Sequence, residues 1–312
     1  MGEKGVFQFE SRARAVALAV ALVTTVDCAT VKKVAINKLG DSLAASGTTY
    51  AADDDPELVG QALPFGLKLI ESLLAESPKH QGMLLAAASG FTQYAYVYVQ
   101  QDADMAEGLD FDRATALRGR AGRLYLRARD YGLRALDGRY RAFSQKLRRD
   151  PKQAVRCAKS SDVPLLYWTA AAWGSAISVS KDNPDLVGDQ LIVEALIDRA
   201  FALDPDFDSG AIHEFLISYE LARQGASGDP VARARIHFDR ELALTNGQQA
   251  GLFVSFAEAV SVQKQDRAEF ESLLKRALRV DPDGRPEWRL QNLVMQRRAR
   301  WLLAREDDLF VK

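Results

Sequence analysis

Apolar residues recur three and four positions apart along most of this chain, and breaks of Asp, Asn, Gly and Pro interrupt them at intervals. That period belongs to amphipathic helices; the period-two alternation of half-buried strands is scarce. The pattern predicts helices over 58–75, 81–99, 111–128, 131–147, 164–179, 185–203, 209–224, 230–244, 248–263, 266–280 and 286–305. Their ends carry helix chemistry. Asp53-Asp54-Asp55-Pro56-Glu57 places acids where they complement the helix dipole and a proline in the first turn, where its missing N–H costs nothing. Glu76-Ser77-Pro78, Arg149-Asp150-Pro151, Asn183-Pro184, Asp204-Pro205 and Asp281-Pro282 end the helices before them or open the next.

Two of these ends are variations on one theme. The stretch from Leu196 to Asp204-Pro205 aligns with that from Leu273 to Asp281-Pro282, and the segment from Ile70 to Pro78 is a weaker copy. An alanine between large residues, followed by a proline that stops the helix, is how tetratricopeptide helices end. The repeats are degenerate: Pro205 and Pro282 are 77 residues apart, not a multiple of about 34. The expected fold class is therefore all-α, an irregular stack of tetratricopeptide-like helix pairs, an α-solenoid with a concave binding face.

The N-terminus reads differently. Lys4, Arg12 and Arg14 precede an apolar run over 15–23, too short to span a bilayer permanently. A basic start and a short apolar stretch make an export signal. Cys28 follows, as in bacterial lipoproteins, where that thiol receives lipid and becomes the mature N-terminus. The expected organisation is a lipoprotein-type signal peptide over 1–27, atypical in having Asp27 before the cysteine, and one helical domain over 28–312. An ordinary cleaved signal, with a weak site at Ala19-Val20-Ala21, is the alternative.

Composition adds little until charge is mapped. The chain is 47% hydrophobic and 27% charged, as globular domains are, and its net charge is −1. Yet residues 41–112 hold 12 acids and 2 lysines, whereas 113–159 hold 15 basic residues and 3 aspartates. The bland reading is two solvated faces. The sharper one is a docking surface, with Arg120, Arg123, Arg127 and Arg134 along one helical side facing an acidic partner or the Asp53–Asp55 region of a neighbouring subunit. Nucleic acid is not expected as a partner of an exported protein.

No catalytic constellation emerges. His213-Glu214 lies on a helix, but a zinc-protease helix needs a second histidine at position 217, which is Ile217. His80 and His237 have no ligand spacing around them. There is no phosphate loop and no nucleophile elbow. Cys157, between Arg156 and Lys159, reads as an idle thiol, left without a disulfide partner if Cys28 is lipidated. No enzyme activity, metal or cofactor is expected. The aromatic segments are richer. Phe91, Tyr94 and Tyr98 share a helical face, and Tyr167-Trp168 through Trp173 bracket Ala170-Ala171-Ala172. They read either as core or as the lining of a ligand cavity, for which the candidates are Tyr94, Tyr98, Trp168 and Trp173.

Several stretches together resemble the T component (TatT) family associated with TRAP transporters. They are Cys28-Ala29-Thr30-Val31-Lys32-Lys33 with Asn37-Lys38-Leu39-Gly40, then Leu166 to Gly174, His213-Glu214-Phe215, Phe256 to Gln263, Gln265 to Phe270, Asn292-Leu293-Val294 and Arg300 to Leu303. The resemblance implies a periplasmic, lipid-anchored protein, with the outer membrane the favoured site. It implies a homo-oligomer such as a trimer, a pore or cavity in each protomer, and pairing with a periplasmic solute-binding P component. The implied role is an accessory transport component that passes an apolar or organic-anion ligand. A non-catalytic envelope scaffold and a periplasmic hydrolase are the competing classes.

Overall fold

The computed structural model describes residues 36–42, 47–223 and 225–311. The export-signal and Cys28 lipidation expectations lie outside the described residues. Those residues are helical throughout, with turns and short connections and no strand, so the all-α expectation holds. The helices that build the stack are α1 (Pro56–Glu76), α2 (Gln81–Ala95), α3 (Gln101–Ala106), α4 (Phe111–Arg139), α5 (Val163–Val179), α6 (Gln190–Leu203), α7 (Phe207–Ala222), α8 (Pro230–Thr245), α9 (Gly251–Phe256), α10 (Arg267–Arg279) and α11 (Arg289–Ala304).

The capping chemistry acts as its residues suggest. Asp55, Asp110, Asp229 and Asp266 each accept a backbone N–H from the first turn of the helix that follows, satisfying donors that the helix cannot. Three boundaries differ from expectation. Residues 111–139 form one helix, because Asp130 pairs with Arg129 at the surface and leaves the backbone ladder intact. The break falls instead at Ala142, which takes a left-handed φ of 54° before the short helix Phe143–Arg149. The 185–203 segment divides into Pro184–Gly188 and α6.

The inner helices α2, α5, α7 and α9 pack side by side, and α4, α6, α8 and α10 form the outer layer of the stack. Gly132 of α4 meets Thr169 of α5 so closely that an added Cβ would overlap the threonine hydroxyl. That hydroxyl is already held, donating to the Leu165 carbonyl at 2.5 Å. Two hydrophobic cores result, one around Leu84, Tyr125, Leu166 and Trp173, the other around Phe238, Phe256, Phe270 and Leu274. Helix α7 serves both: Ile212 and Leu216 face the first, Ile217 the second.

The stack also closes on itself. Helix α11 packs on α9 and α10 and reaches back to α1. Arg289 donates to the Ala52 carbonyl at 3.0 Å, and Arg297 to the Val97 carbonyl at 3.2 Å. Arg298 bridges Asp104 of α3 at 2.8 Å and Glu258 at 3.0 Å. Both acceptor regions adjoin single π-helical turns, Tyr96–Gln100 after α2 and Ala257–Ser261 after α9. Each such turn inserts a residue and re-aims the side chains beyond it.

Candidate functional site: a cavity among the inner helices

Helices α1, α2, α5, α7, α9 and α11 surround a cavity of about 1510 Å³. Its α1–α2 wall is mainly apolar, with Leu63, Leu67, Ile70, Leu85 and Ala86 and the polar Ser89, Thr92 and Gln93. Aromatic side chains from four elements face it: Tyr98, Tyr167 with Trp168, Phe215 and Trp288.

Of the four aromatics singled out from the sequence, Tyr98 and Trp168 line this space, while Tyr94 and Trp173 do not. The Tyr98 hydroxyl donates to the Pro56 carbonyl at 2.8 Å, so only its ring is free to face a ligand. Trp168 meets Tyr167 edge-on, with centroids 4.9 Å apart. Tyr94 is 9% exposed and its hydroxyl accepts from Arg120 at 3.1 Å, turned toward α4. Trp173 has no exposure and lies between the Arg129 and Arg148 guanidinium groups, 4.8 and 5.7 Å from its ring. The cause is helical phase. At about 100° per residue, five residues separate Trp168 and Trp173 by roughly 140°, so one faces the cavity and the other the core.

The four arginines proposed for docking are all exposed on the unbroken α4. Three of them also work within the chain. Arg120 holds Tyr94; Arg127 lies 3.7 Å from Glu71 and over the Phe91 ring. Arg134 donates to the Pro78 carbonyl at 3.0 Å and to Leu74 at 3.4 Å, capping the end of α1. Arg123 has no hydrogen bond or ion pair among the described residues.

Sequence reasoning missed the polar side of the cavity. Glu214 faces it from α7, accepting from Ser255 at 3.2 Å and, more weakly, from Gln291 at 3.5 Å. Gly251 makes room for this carboxylate, since a Cβ there would overlap Glu214 Oε1. Burial pushes the Glu214 carboxyl above its usual range and the Asp208 charge adds to the push, while Ser255 opposes it. Asp208 is itself raised by burial. It belongs to a left-handed turn, with φ of 48° at Asp208, 57° at Ser209 and 110° at Gly210. Such backbone is costly for residues with a side chain and persists only where surrounding structure imposes it. Gln249 completes the group. It lines the cavity at 5% exposure, and its carboxamide has no hydrogen-bond partner among the described residues. A signal existed in the sequence: Glu214 is a lone acid inside the apolar run Ile212 to Ile217, but its neighbour His213 directed attention to zinc chemistry.

Behind this wall lies a buried pair. His213 and His237 share one hydrogen bond, Nδ1 to Nδ1, at 2.9 Å. One ring must donate and the other accept, so the two cannot both be protonated while the bond holds. Burial and the neighbouring His237 press His213 down to about 4. Glu241, fully buried against Gly210, has no partner for either carboxylate oxygen. Burial raises its carboxyl well above the usual range, reinforced by the Glu214 charge. A group whose folded pKa is raised loses stability as pH climbs from its unfolded pKa through its folded one. Glu241→Met is therefore expected to stabilise the fold by about 1–3 kcal/mol, with the gain widening as pH rises above 4.5 toward the folded pKa. Urea denaturation of both chains at several pH values checks this; a pH-independent difference would contradict it.

Comparison with known proteins places this geometry. A family model described as TRAP transporter T-component matches residues 52–310. A protein of Treponema pallidum (strain Nichols), described only as uncharacterized, is 28% identical over 267 residues, spanning 84% of this chain and 82% of its own length. The match takes in every helix of the ring, from α1 to α11, and so the chain belongs to the TRAP transporter T-component family.

Proposed function

We propose that this chain is the accessory component of a TRAP-type system that binds a periplasmic solute-binding P component and passes a ligand of largely apolar body through its cavity. The observation that carries the reading is the cavity of about 1510 Å³ with largely aliphatic and aromatic walls. A scaffold has no use for such a space, and a well-packed interior would otherwise fill it. An organic anion suits it less, because Asp41, Asp208, Glu214 and Glu287 among the lining residues face only Lys181 and Arg285. In this reading the chain does no catalysis. It sits in the periplasm, held by lipid on Cys28 to a membrane, the outer one favoured, and works as a homo-oligomer such as a trimer.

The α4 arginines are the proposed contact for the P component, with Arg123 the one whose loss disturbs nothing else. Exposed charges steer encounter more than they hold a complex. Surface plasmon resonance with the purified P component of the same system is expected to show binding. Its association rate should fall severalfold on Arg123→Glu and lose part of its salt dependence, with dissociation little changed. Absence of binding would leave the scaffold reading in its place.

A further inference from the structure

The polar side of the cavity is unbalanced. Two carboxylates, Asp208 in the left-handed turn that opens α7 and Glu214 within α7, line it. The hydroxyl of Ser255 and the weak contact from Gln291 are the only hydrogen bonds Glu214 receives among the described residues, and Asp208 receives none. No lysine or arginine among the described residues pairs with them. Arg285 is occupied by Glu287 at 3.1 Å and by the face of Trp288, and Lys181 is exposed beyond the end of α5. Glu214 is half-buried and Asp208 opens onto the cavity; two neighbouring carboxylates without an opposite charge leave this side short of a cation among the described residues.

Two independent features point to a ligand supplying it. Gln249 is almost fully buried, lines the cavity and has no protein partner. Its carboxamide opens onto the cavity and is free to bond whatever occupies that space. The hydroxyls of Tyr96 and Tyr167, also in the lining, have no hydrogen bond among the described residues either. Carboxylates and the amide oxygen accept; an ammonium group donates three times and carries the missing charge. The rings of Tyr96, Tyr167 and Trp168 surround the same space with faces that attract cations. The α1–α2 wall is mainly hydrocarbon, with Ser89, Thr92 and Gln93 as its polar members.

Resting on the reading that the cavity takes a ligand of apolar body, we propose that this ligand is a cationic amphiphile. Its ammonium head lies against Glu214 and Asp208 with Gln249 as a further acceptor, and its hydrocarbon lies along Leu63, Leu67, Ile70 and Leu85.

Three probes of one chain length separate the head from the tail: decylammonium, decanol and decanoate, each below its micellar concentration, titrated into the purified chain at pH 7.5 by calorimetry. Decylammonium is expected to bind at least tenfold tighter than decanoate, with decanol between them. Glu214→Gln should bring decylammonium to the level of decanol and leave decanol unchanged. Asp208→Asn, which keeps a residue tolerant of left-handed backbone, should shift the same way and serves where the first variant folds poorly. Ser218→Trp, which fills the cavity, should abolish all three. Decanoate binding as tightly as decylammonium would overturn the cationic head while leaving the apolar cavity standing. Equal losses for all three probes in Glu214→Gln would make that carboxylate structural and overturn it too. Binding that survives Ser218→Trp would belong to the surface, and no binding of any probe would end both readings.

Discussion

Trp173→Ala should lose about 3–5 kcal/mol of stability, the range for emptying a large aromatic site in a packed core. The indole has no exposure, and the two arginines flanking it would lose the ring that covers them. Trp168→Ala, five residues earlier, should cost well under half as much, because its ring already faces open space in the cavity. The same change should alter binding of an apolar probe, which Trp173→Ala in its folded fraction should not. Urea denaturation alongside probe titration measures both. Equal destabilisation by the two substitutions would mean that the cavity closes in solution and that Trp168 is core.

Arg298→Ala should be comparably severe. This guanidinium is 4% exposed and joins Asp104 and Glu258, two acids on different elements. Burial works against its charge, but Glu258 and Tyr96, with Asp104, outweigh that and hold its pKa above the usual value. Removing one partner of a buried charged group typically costs about 3–5 kcal/mol, and the low end applies here because the Asp104 and Glu258 side chains left behind are only partly buried. Burial already raises Asp104 and Arg298 pulls it back. Without the arginine, the Asp104 pKa should climb further. The penalty is then absent below its unfolded pKa and grows as pH rises through the folded one. The variant's deficit should accordingly deepen between pH 4 and pH 8, and the triple change Asp104→Asn, Glu258→Gln, Arg298→Met should recover most of it. A deficit that ignores pH would assign the loss to packing of the arginine stem.

The helices were legible because their signals are local. Asp55 with Pro56, or Asp266 ahead of Arg267, declare a helix start within one turn. The misplaced break in α4 shows the limit of local reading, since Asp130 has a poor intrinsic preference for helix interiors and packing against α2 and α5 overrides it. The cavity was legible only in its residue types. Which aromatic faces it depends on helical phase summed across π turns, and periodicity assigns two sides to a helix without saying which side meets a void. The Glu214–Gln249 juxtaposition was out of reach for another reason. Glu214 in the middle of α7 and Gln249 just before α9 have 34 positions between them, and the packing of α9 and α11 around α7 puts both in one lining.

A stack of helix pairs that ends freely can gain or lose a pair at the cost of one interface. The return of α11 to α1 removes that freedom. Here the number of inner helices behaves as strand number does in a closed barrel: adding or deleting one pair would leave a gap that Arg289, Arg297 and Arg298 cannot span. Change in what such a protein carries must then come by substitution of lining side chains within a fixed circumference, so ligand size should vary little across chains of this design while ligand charge varies freely.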